Sequence, residues 1–311
     1  MMPSMTAELE ECRRLLAARN PADALARVDG LLTAGPGPLA AREVRLECLM
    51  ALGRFEMAHE LAAGILATDP GNAVAERHRL VLEHALRKPD LGAPAPGLRP
   101  FHSEVPREVL LRIQQAVHHY TYRRLQMVKD PFSLALYPML LGALRPRTII
   151  EIGSKAGGSA LWFGDLLASL HIDGHVHSID VIPVTDVQQA NVTFHQGNGR
   201  RLEQSLSAQF LATCARPLLV VEDADHTRET SLAVLEFFHP HLRAGEYIVI
   251  EDGILSDLYP QIFPDCSSGP HVALRDFLSR RGSDYVIDPA YCDFFGYNAT
   301  WASNGFLRKI A

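Results

Sequence analysis

From Arg147 onward the chain repeats one pattern, a short apolar run followed by a stretch of helical spacing. The runs are RTIIEIG, GHVHSID, VTFHQG, PLLVVED and EYIVIEDG, and amphipathic segments such as SALWFGDLLASL and TSLAVLEFFHPHL stand between them. Runs of this length are strands, and strands that alternate with helices are joined by crossovers rather than hairpins. They therefore lie parallel, with helices on both faces of the sheet, and the fold class is α/β. In open sheets of this kind a ligand binds beyond the carboxyl ends of the strands. The chemistry-bearing residues of this sequence are concentrated there.

The text before Arg147 is different. Residues 5 to 87 are rich in Ala, Leu, Glu and Arg at helical spacing, with Leu46, Leu49 and Met50 on one stripe. The segment DALARVDGLLTAGP (23 to 36) overlays MAHELAAGILATDP (57 to 70), placing Ala24 on Ala58, Gly30 on Gly64, Leu31 on Ile65 and Pro36 on Pro70. With Leu52-Gly53, Phe55 and Asp69-Pro70 this repeat resembles the tetratricopeptide pattern, in which small residues let paired helices approach; a plain helical hairpin bundle fits equally well. Two repeats are too few to stand alone, so they are expected to lean on the main domain or on another subunit, as in a homo-oligomer. The Pro- and Gly-rich RKPDLGAPAPGLRPF has no periodicity and reads as a linker. The domain plan is thus 1–87 helical, 88–101 linker and 102–311 the α/β domain, which opens with helices over about 105–125 and 131–144.

The first strand runs into EIGSKAGGSALW, where Gly153 and Gly157 allow a sharp turn and a close backbone approach to a ligand. The spacing is not the GxGxxG of a dinucleotide pyrophosphate site, which disfavours a nicotinamide oxidoreductase. E-x-G-x-x-x-G is the loop of enzymes that take S-adenosylmethionine, and it names Glu151, Gly153, Ser154, Gly157 and Ser159 as candidate cofactor contacts. Asp180, closing the next strand, stands where an acid accepts ribose hydroxyls. Asn198, with Gly197 at the end of the third strand, is placed to edge the adenine.

The fourth and fifth strands end in acids: Glu222-Asp223 and Glu251-Asp252, with Asp225 and His226 close by. Asp223, Glu251 and Asp252 converging without a counter-charge would repel one another by several kcal/mol. A cation is therefore expected among them. Oxygen ligands without cysteine favour magnesium or calcium over zinc, and positions left open for a substrate favour magnesium. Asp225 or Thr227 reads as a cap of the following helix. His226 or Asp223 is the candidate proton acceptor, and Lys155, His118 and His119 are further candidates for substrate contact.

Composition removes other classes. The net charge of −6 and the absence of a basic run argue against nucleic acid or an anionic membrane as partner. Five cysteines without CxxC spacing, and an acidic start, MMPSMTAELEECRR, in place of an apolar leader, predict a reduced, cytoplasmic protein without structural zinc. No apolar run reaches the roughly 18 residues a membrane helix needs.

Taken together, KDPFSLALYPML, IIEIGSKAGGSALWFGDLL, VVEDADHT, YIVIEDG, GPHVALRDFL and YCDFFGYNATWASNGFLRK resemble the cephalosporin hydroxylase and rhamnosyl O-methyltransferase family and related magnesium-dependent macrolide-sugar O-methyltransferases. The resemblance covers about residues 105 to 311. It implies a Rossmann-like class I methyltransferase sheet of seven strands, the last antiparallel, binding S-adenosylmethionine at the Gly153–Ser159 loop. It also implies a metal held by Asp223, Glu251 and Asp252, and methyl transfer to a hydroxyl of a small natural product such as a sugar, polyketide or antibiotic intermediate. No HxD-type iron site supports oxygenase chemistry. The alternative is a catalytically silent scaffold that recruits partners through its helices. The long segment ILSDLYPQIFPDCSSGP, rich in turn formers, is a candidate lid over the substrate.

Overall fold

The computed structural model describes residues 4–32, 37–86, 99–262 and 268–311, arranged as two compact units, Met1–Lys88 and Pro89–Ala311. The first unit is α1 (Met5–Ala17), α2 (Pro21–Leu31), α3 (Leu39–Ala51), α4 (Phe55–Thr68) and α5 (Ala73–Ala85). Odd helices begin at 5, 39 and 73 and even ones at 21 and 55, so each start recurs after 34 residues. Ser4, Asn20 and Asn72 cap α1, α2 and α5 with side-chain oxygens. Ala24 and Ala58 are fully buried at equivalent places in the core with Val28, Leu46, Leu49 and Ile65. Among the described residues, a Cβ at Gly30 or Gly64 would meet no atom within 4 Å beyond the backbone of its own helix, so close packing there does not demand a glycine. Pro36 lies outside the described residues, as does the expected linker up to residue 98. The last linker residues, Arg99–Phe101, are packed into the second unit: Arg99 is buried in an ion pair with Asp293 and also donates to Asn304.

The second unit opens with α6 (Arg107–Val117), then a hairpin of β1 (Thr121–Tyr122) and β2 (Leu125–Gln126), then α7 (Pro131–Leu144). The helix expected over 105–125 therefore ends early. Arg123 and Arg124 both take positive φ, +49° and +68°, and turn the chain back on itself. Asp130 caps α7 by accepting from the amides of Phe132 and Ser133.

The sheet follows as β3 (Thr148–Ile152), α8 (Gly158–Ser169), β4 (His175–Asp180), β5 (Val192–Gln196), a 3-10 turn (Gly199–Gln204), α9 (Ala208–Thr213), β6 (Leu218–Glu222), α10 (Arg228–Phe238), β7 (Tyr247–Ile250), α11 (Leu255–Leu258), α12 (Pro270–Arg281), β8 (Tyr285–Ile287), α13 (Pro289–Cys292) and β9 (Phe306–Lys309). The strand order is β5-β4-β3-β6-β7-β9-β8, with β9 antiparallel to both neighbours and the others parallel as read from the sequence. Every residue of β3, β6 and β7 is buried, as expected for strands covered on both faces. From β3 the chain steps outward to β4 and later returns to place β6 on the other side. The crevice at this reversal opens beyond the carboxyl ends of β3 and β6. No helix among the described residues is long and apolar enough to cross a membrane.

Candidate active site

A cavity of about 800 Å³ lies at that crevice, and Gly153, Ser154, Ser159, Asp180, Asn198, Asp223, His226 and Asp252 all line it. Glu151, Gly157 and Glu251 stand behind its wall. The backbone ladder explains the alignment. Past the strand ends, Gly153 N–H donates to Ile179 O at 2.8 Å, Asp223 N–H to Ile152 O at 2.8 Å and Glu251 N–H to Glu222 O at 2.9 Å, so the three loops leave the sheet side by side.

Gly153 is required by contact as well as by conformation. Its φ is +106°, and a Cβ there would lie 2.1 Å from the carbonyl oxygen of Asp223. Gly157, at φ +82°, starts α8. Behind the loop, the buried Glu151 accepts from the Ser178 hydroxyl, which lies 2.5 Å from Ser154 Oγ. Burial raises the Glu151 carboxyl. Asp180 spends both oxygens on backbone amides, Oδ2 accepting from Lys155 at 2.7 Å and Oδ1 from Ile182 at 2.9 Å, which anchors the glycine loop to β4. Asn198 caps the 3-10 turn through the Arg200 amide at 2.9 Å. Thr227 caps α10, and Asp225 braces it and pairs with Arg200.

The acid end holds a group that sequence reasoning missed. Lys129, its side chain 1% exposed, places Nζ 2.5 Å from Asp223 Oδ2 and 2.6 Å from Glu251 Oε1. Tyr137 OH donates to the same Glu251 oxygen at 2.5 Å. Burial alone would depress the Lys129 ammonium, but the acids Asp223, Glu251 and Glu151 outweigh it and hold it above the usual lysine range. Glu251 is thus turned toward Lys129 and Tyr137 and away from the cavity. Asp252 instead accepts from His226, Nδ1 to Oδ2, at 2.8 Å. Burial would lower His226, yet Asp252, Asp223 and Glu222 push it up to about 10, and its partner Asp252 is lowered in turn. Burial, reinforced by Glu251 and Asp252, raises Asp223 against the pull of Lys129 and His226. Three carboxylates therefore face two cations, and the repulsion inferred from the sequence is offset largely by protein charge.

His226 and Asp252 both take left-handed backbones, with φ of +56° and +59°. Such conformations cost of order 1 kcal/mol or more for residues with a side chain, and here the ion pair joins the two. Asp223, His226 and Asp252 offer one ligand atom each, all within 4.8 Å of one another. The two carboxylate oxygens of that group are hard donors of the kind that hold magnesium or calcium, while His226, held as a cation by Asp252, acts as their counter-charge rather than as a ligand.

The same cavity is also lined by Gln114 and His118 of α6 and its end, Gln126 and Met127 of the hairpin, and Leu255 and Tyr259 around α11. His119 is not part of the lining. Residues 263–267 of the lid candidate lie outside the described residues; its described start is α11, whose Leu255 and Leu258 pack with Leu110 and Trp301.

A profile of the family described as rhamnosyl O-methyltransferase/CmcI matches residues 114–310. The chain belongs to this family. The rhamnosyl O-methyltransferase of Mycobacterium leprae is 29% identical over 197 residues, 61% of this chain and 82% of that protein; its Mycobacterium tuberculosis H37Rv counterpart is 26% identical over 194 residues, 61% and 78%. The apo structure of CmcI-N160 superposes with a TM-score of 0.50 at 28% identity, covering 62% of this chain and 77% of that one. As a member of the rhamnosyl O-methyltransferase/CmcI family, the protein is an S-adenosylmethionine-dependent O-methyltransferase with a class I methyltransferase sheet. The helices α1–α5 precede the matched region.

Proposed function

We propose that the protein methylates a hydroxyl of a small, neutral natural product, a sugar, polyketide or antibiotic intermediate, with the assistance of a magnesium ion. One observation carries this reading: the glycine loop with Asp180, and the group Asp223, His226 and Asp252, line the same cavity. Gly153, Ser154, Ser159, Asp180 and Asn198 would receive S-adenosylmethionine, with Glu151 and Gly157 shaping the loop from behind. When bound, that cofactor supplies a methyl group activated on a sulfonium. Asp223 and Asp252, which face the cavity, would hold the ion, and Glu251 supports them through Lys129. When bound, the ion supplies a Lewis-acid charge that lowers the pKa of a hydroxyl.

The chain's own groups do the rest. Asp252 holds His226 through Nδ1 and keeps the ring charged, so Asp223 is the first candidate for the proton of the acceptor hydroxyl; His226 could take it at Nε2 only after giving up the proton already there. The walls on β3, β6 and β7 bring both reactants to one crevice, which replaces a bimolecular encounter by a positioned one. Neutral hydrogen-bonding groups (Gln114, His118, Gln126) beside Leu255 and Tyr259 suit an uncharged acceptor rich in oxygen. The helical unit α1–α5 stands outside the chemistry, as a module for self-association or recruitment, which light scattering with and without residues 1–88 would test.

The test of the reaction is transfer of labelled methyl to a panel of hydroxylated acceptors, with EDTA and with magnesium restored. Transfer that stops with EDTA and returns with magnesium is expected. Undiminished transfer in EDTA would remove the ion, and absence of any S-adenosylmethionine binding by calorimetry would remove the reaction.

A further inference from the structure

The acceptor side of the cavity contains a short hydrogen-bonded chain that leads from the core to the lining. Trp301 Nε1 lies 2.9 Å from Gln114 Oε1, and Gln114 Nε2 lies 3.4 Å from His118 Nε2. Gln114 is 8% exposed and Trp301 4%, so both are fixed by packing; Trp301 packs with Leu110 of α6 and with α11. His118, the residue that ends α6, is exposed at the cavity, and its carbonyl accepts from Gln126 Nε2 at 2.9 Å.

The donor inventory sets the direction of this chain. An indole N–H only donates, so the Gln114 oxygen must face it; the reversed amide would bury two donors against each other. The other end of Gln114 is then an NH2 group, which also only donates. His118 Nε2 must therefore carry its lone pair toward Gln114, and in the neutral ring the hydrogen is on Nδ1.

We propose that His118 is a positioning residue for the methyl acceptor, donating from Nδ1–H to an acceptor oxygen other than the one that is methylated. The assignment rests on the reading that the acceptor occupies the α6–α11 side of this cavity. It makes a chemical selection: the partner must be a lone pair, as on a ring ether, carbonyl or hydroxyl oxygen, and an ammonium or amide N–H would be rejected. Gln114 acts through His118 by fixing its tautomer, and Trp301 acts through Gln114.

Two measurements test this. Long-range proton–nitrogen NMR of the wild-type protein reports the His118 tautomer without any acceptor. A protonated Nδ1 that shifts toward a mixture in Gln114→Met is expected, and a ring protonated at Nε2 overturns the proposal. Kinetics with a turned-over acceptor form the second arm. His118→Ala should raise the acceptor KM about three- to tenfold, the range of one neutral hydrogen bond. The KM for S-adenosylmethionine should stay unchanged and kcat should stay within about twofold, while His118→Asn, which restores a donor near the Nδ1 position, should recover part of the loss. An unchanged acceptor KM in an active His118→Ala enzyme overturns the proposal alone. A wild-type protein that methylates no hydroxylated acceptor overturns the parent reading and takes this one with it.

Discussion

The two ends of the cavity are built by different means. At the glycine-loop end, the polar side chains serve the backbone first: Asp180 holds the amides of Lys155 and Ile182, and Asn198 holds that of Arg200. That end is a shaped surface of main chain, fixed by glycines and caps. At the acid end, the side chains hold one another, through Lys129 with Asp223 and Glu251 and through His226 with Asp252. A shape made of backbone tolerates loss of one side chain at modest cost. A balance of buried charges does not, because removing one member leaves its partner uncompensated.

The sharpest way to break that contrast is Lys129→Met. It leaves Asp223 and Glu251 facing each other in a buried site, and a loss of about 3–5 kcal/mol in unfolding free energy is expected. Denaturant melts would measure it, and Lys129→Met with Glu251→Gln should recover a substantial part. A loss below about 1 kcal/mol would mean that the acids balance without the lysine.

Next in size is a paired comparison of Asp252→Ala with Asp180→Ala. Asp252→Ala should lower kcat by about 10²–10³-fold, the range for losing the group that orients a proton acceptor, with little change in S-adenosylmethionine affinity. Asp180→Ala should do the reverse, weakening that affinity by about tenfold, roughly 1.4 kcal/mol, with a smaller effect on saturated turnover. Equal effects on both quantities would erase the division between the ends.

The smallest expected effect lies away from the cavity, at His177, whose ring contacts His175 and His195 on the outer strands of the sheet. Burial, with the neighbouring histidines, pushes His177 down to about 4. The folded state then binds fewer protons than the unfolded chain, so the contribution is complete above about pH 6.5 and is lost as pH falls toward 4. After allowance for solvent screening this is on the order of 1 kcal/mol, a few degrees in Tm. Thermal melts at pH 7 and pH 5 should differ by less in His177→Gln.

Much of this arrangement was legible in the sequence, for reasons that can be named. The runs ending in Ile152, Asp180, Gln196, Glu222 and Ile250 are the five parallel strands; burial on both faces gives β3, β6 and β7 an almost unbroken apolar signature, while β4 and β5, toward the edge of the sheet, keep polar residues and are marked by their place between helical stretches. The same logic placed Gly153, Asp180, Asp223 and Asp252 at the strand ends, and the cavity joins them. Three features were not legible. The hairpin that follows α6 turns on the left-handed pair Arg123-Arg124, and arginine carries no turn preference that would announce it. The orientation of Glu251 depends on Lys129, more than a hundred residues earlier in the chain. A single lysine before a helix cap reads as a solvated residue, and the one available signal was its place in KDPFSLALYPML, where Tyr137 also lies. The demand for an outside cation was overstated for the same reason, since Lys129 and a protonated His226 already answer three carboxylates.

The position of Gly153 has a mechanical consequence. Where any other residue would carry a side chain, the carbonyl of Asp223 occupies the space, so the glycine loop and the acid-bearing end of β6 share a partition only one peptide thick. Neither half can drift without pressing on the other. A group bound on either side would therefore be felt on the other, with a hydrogen of Gly153 as the cushion between them.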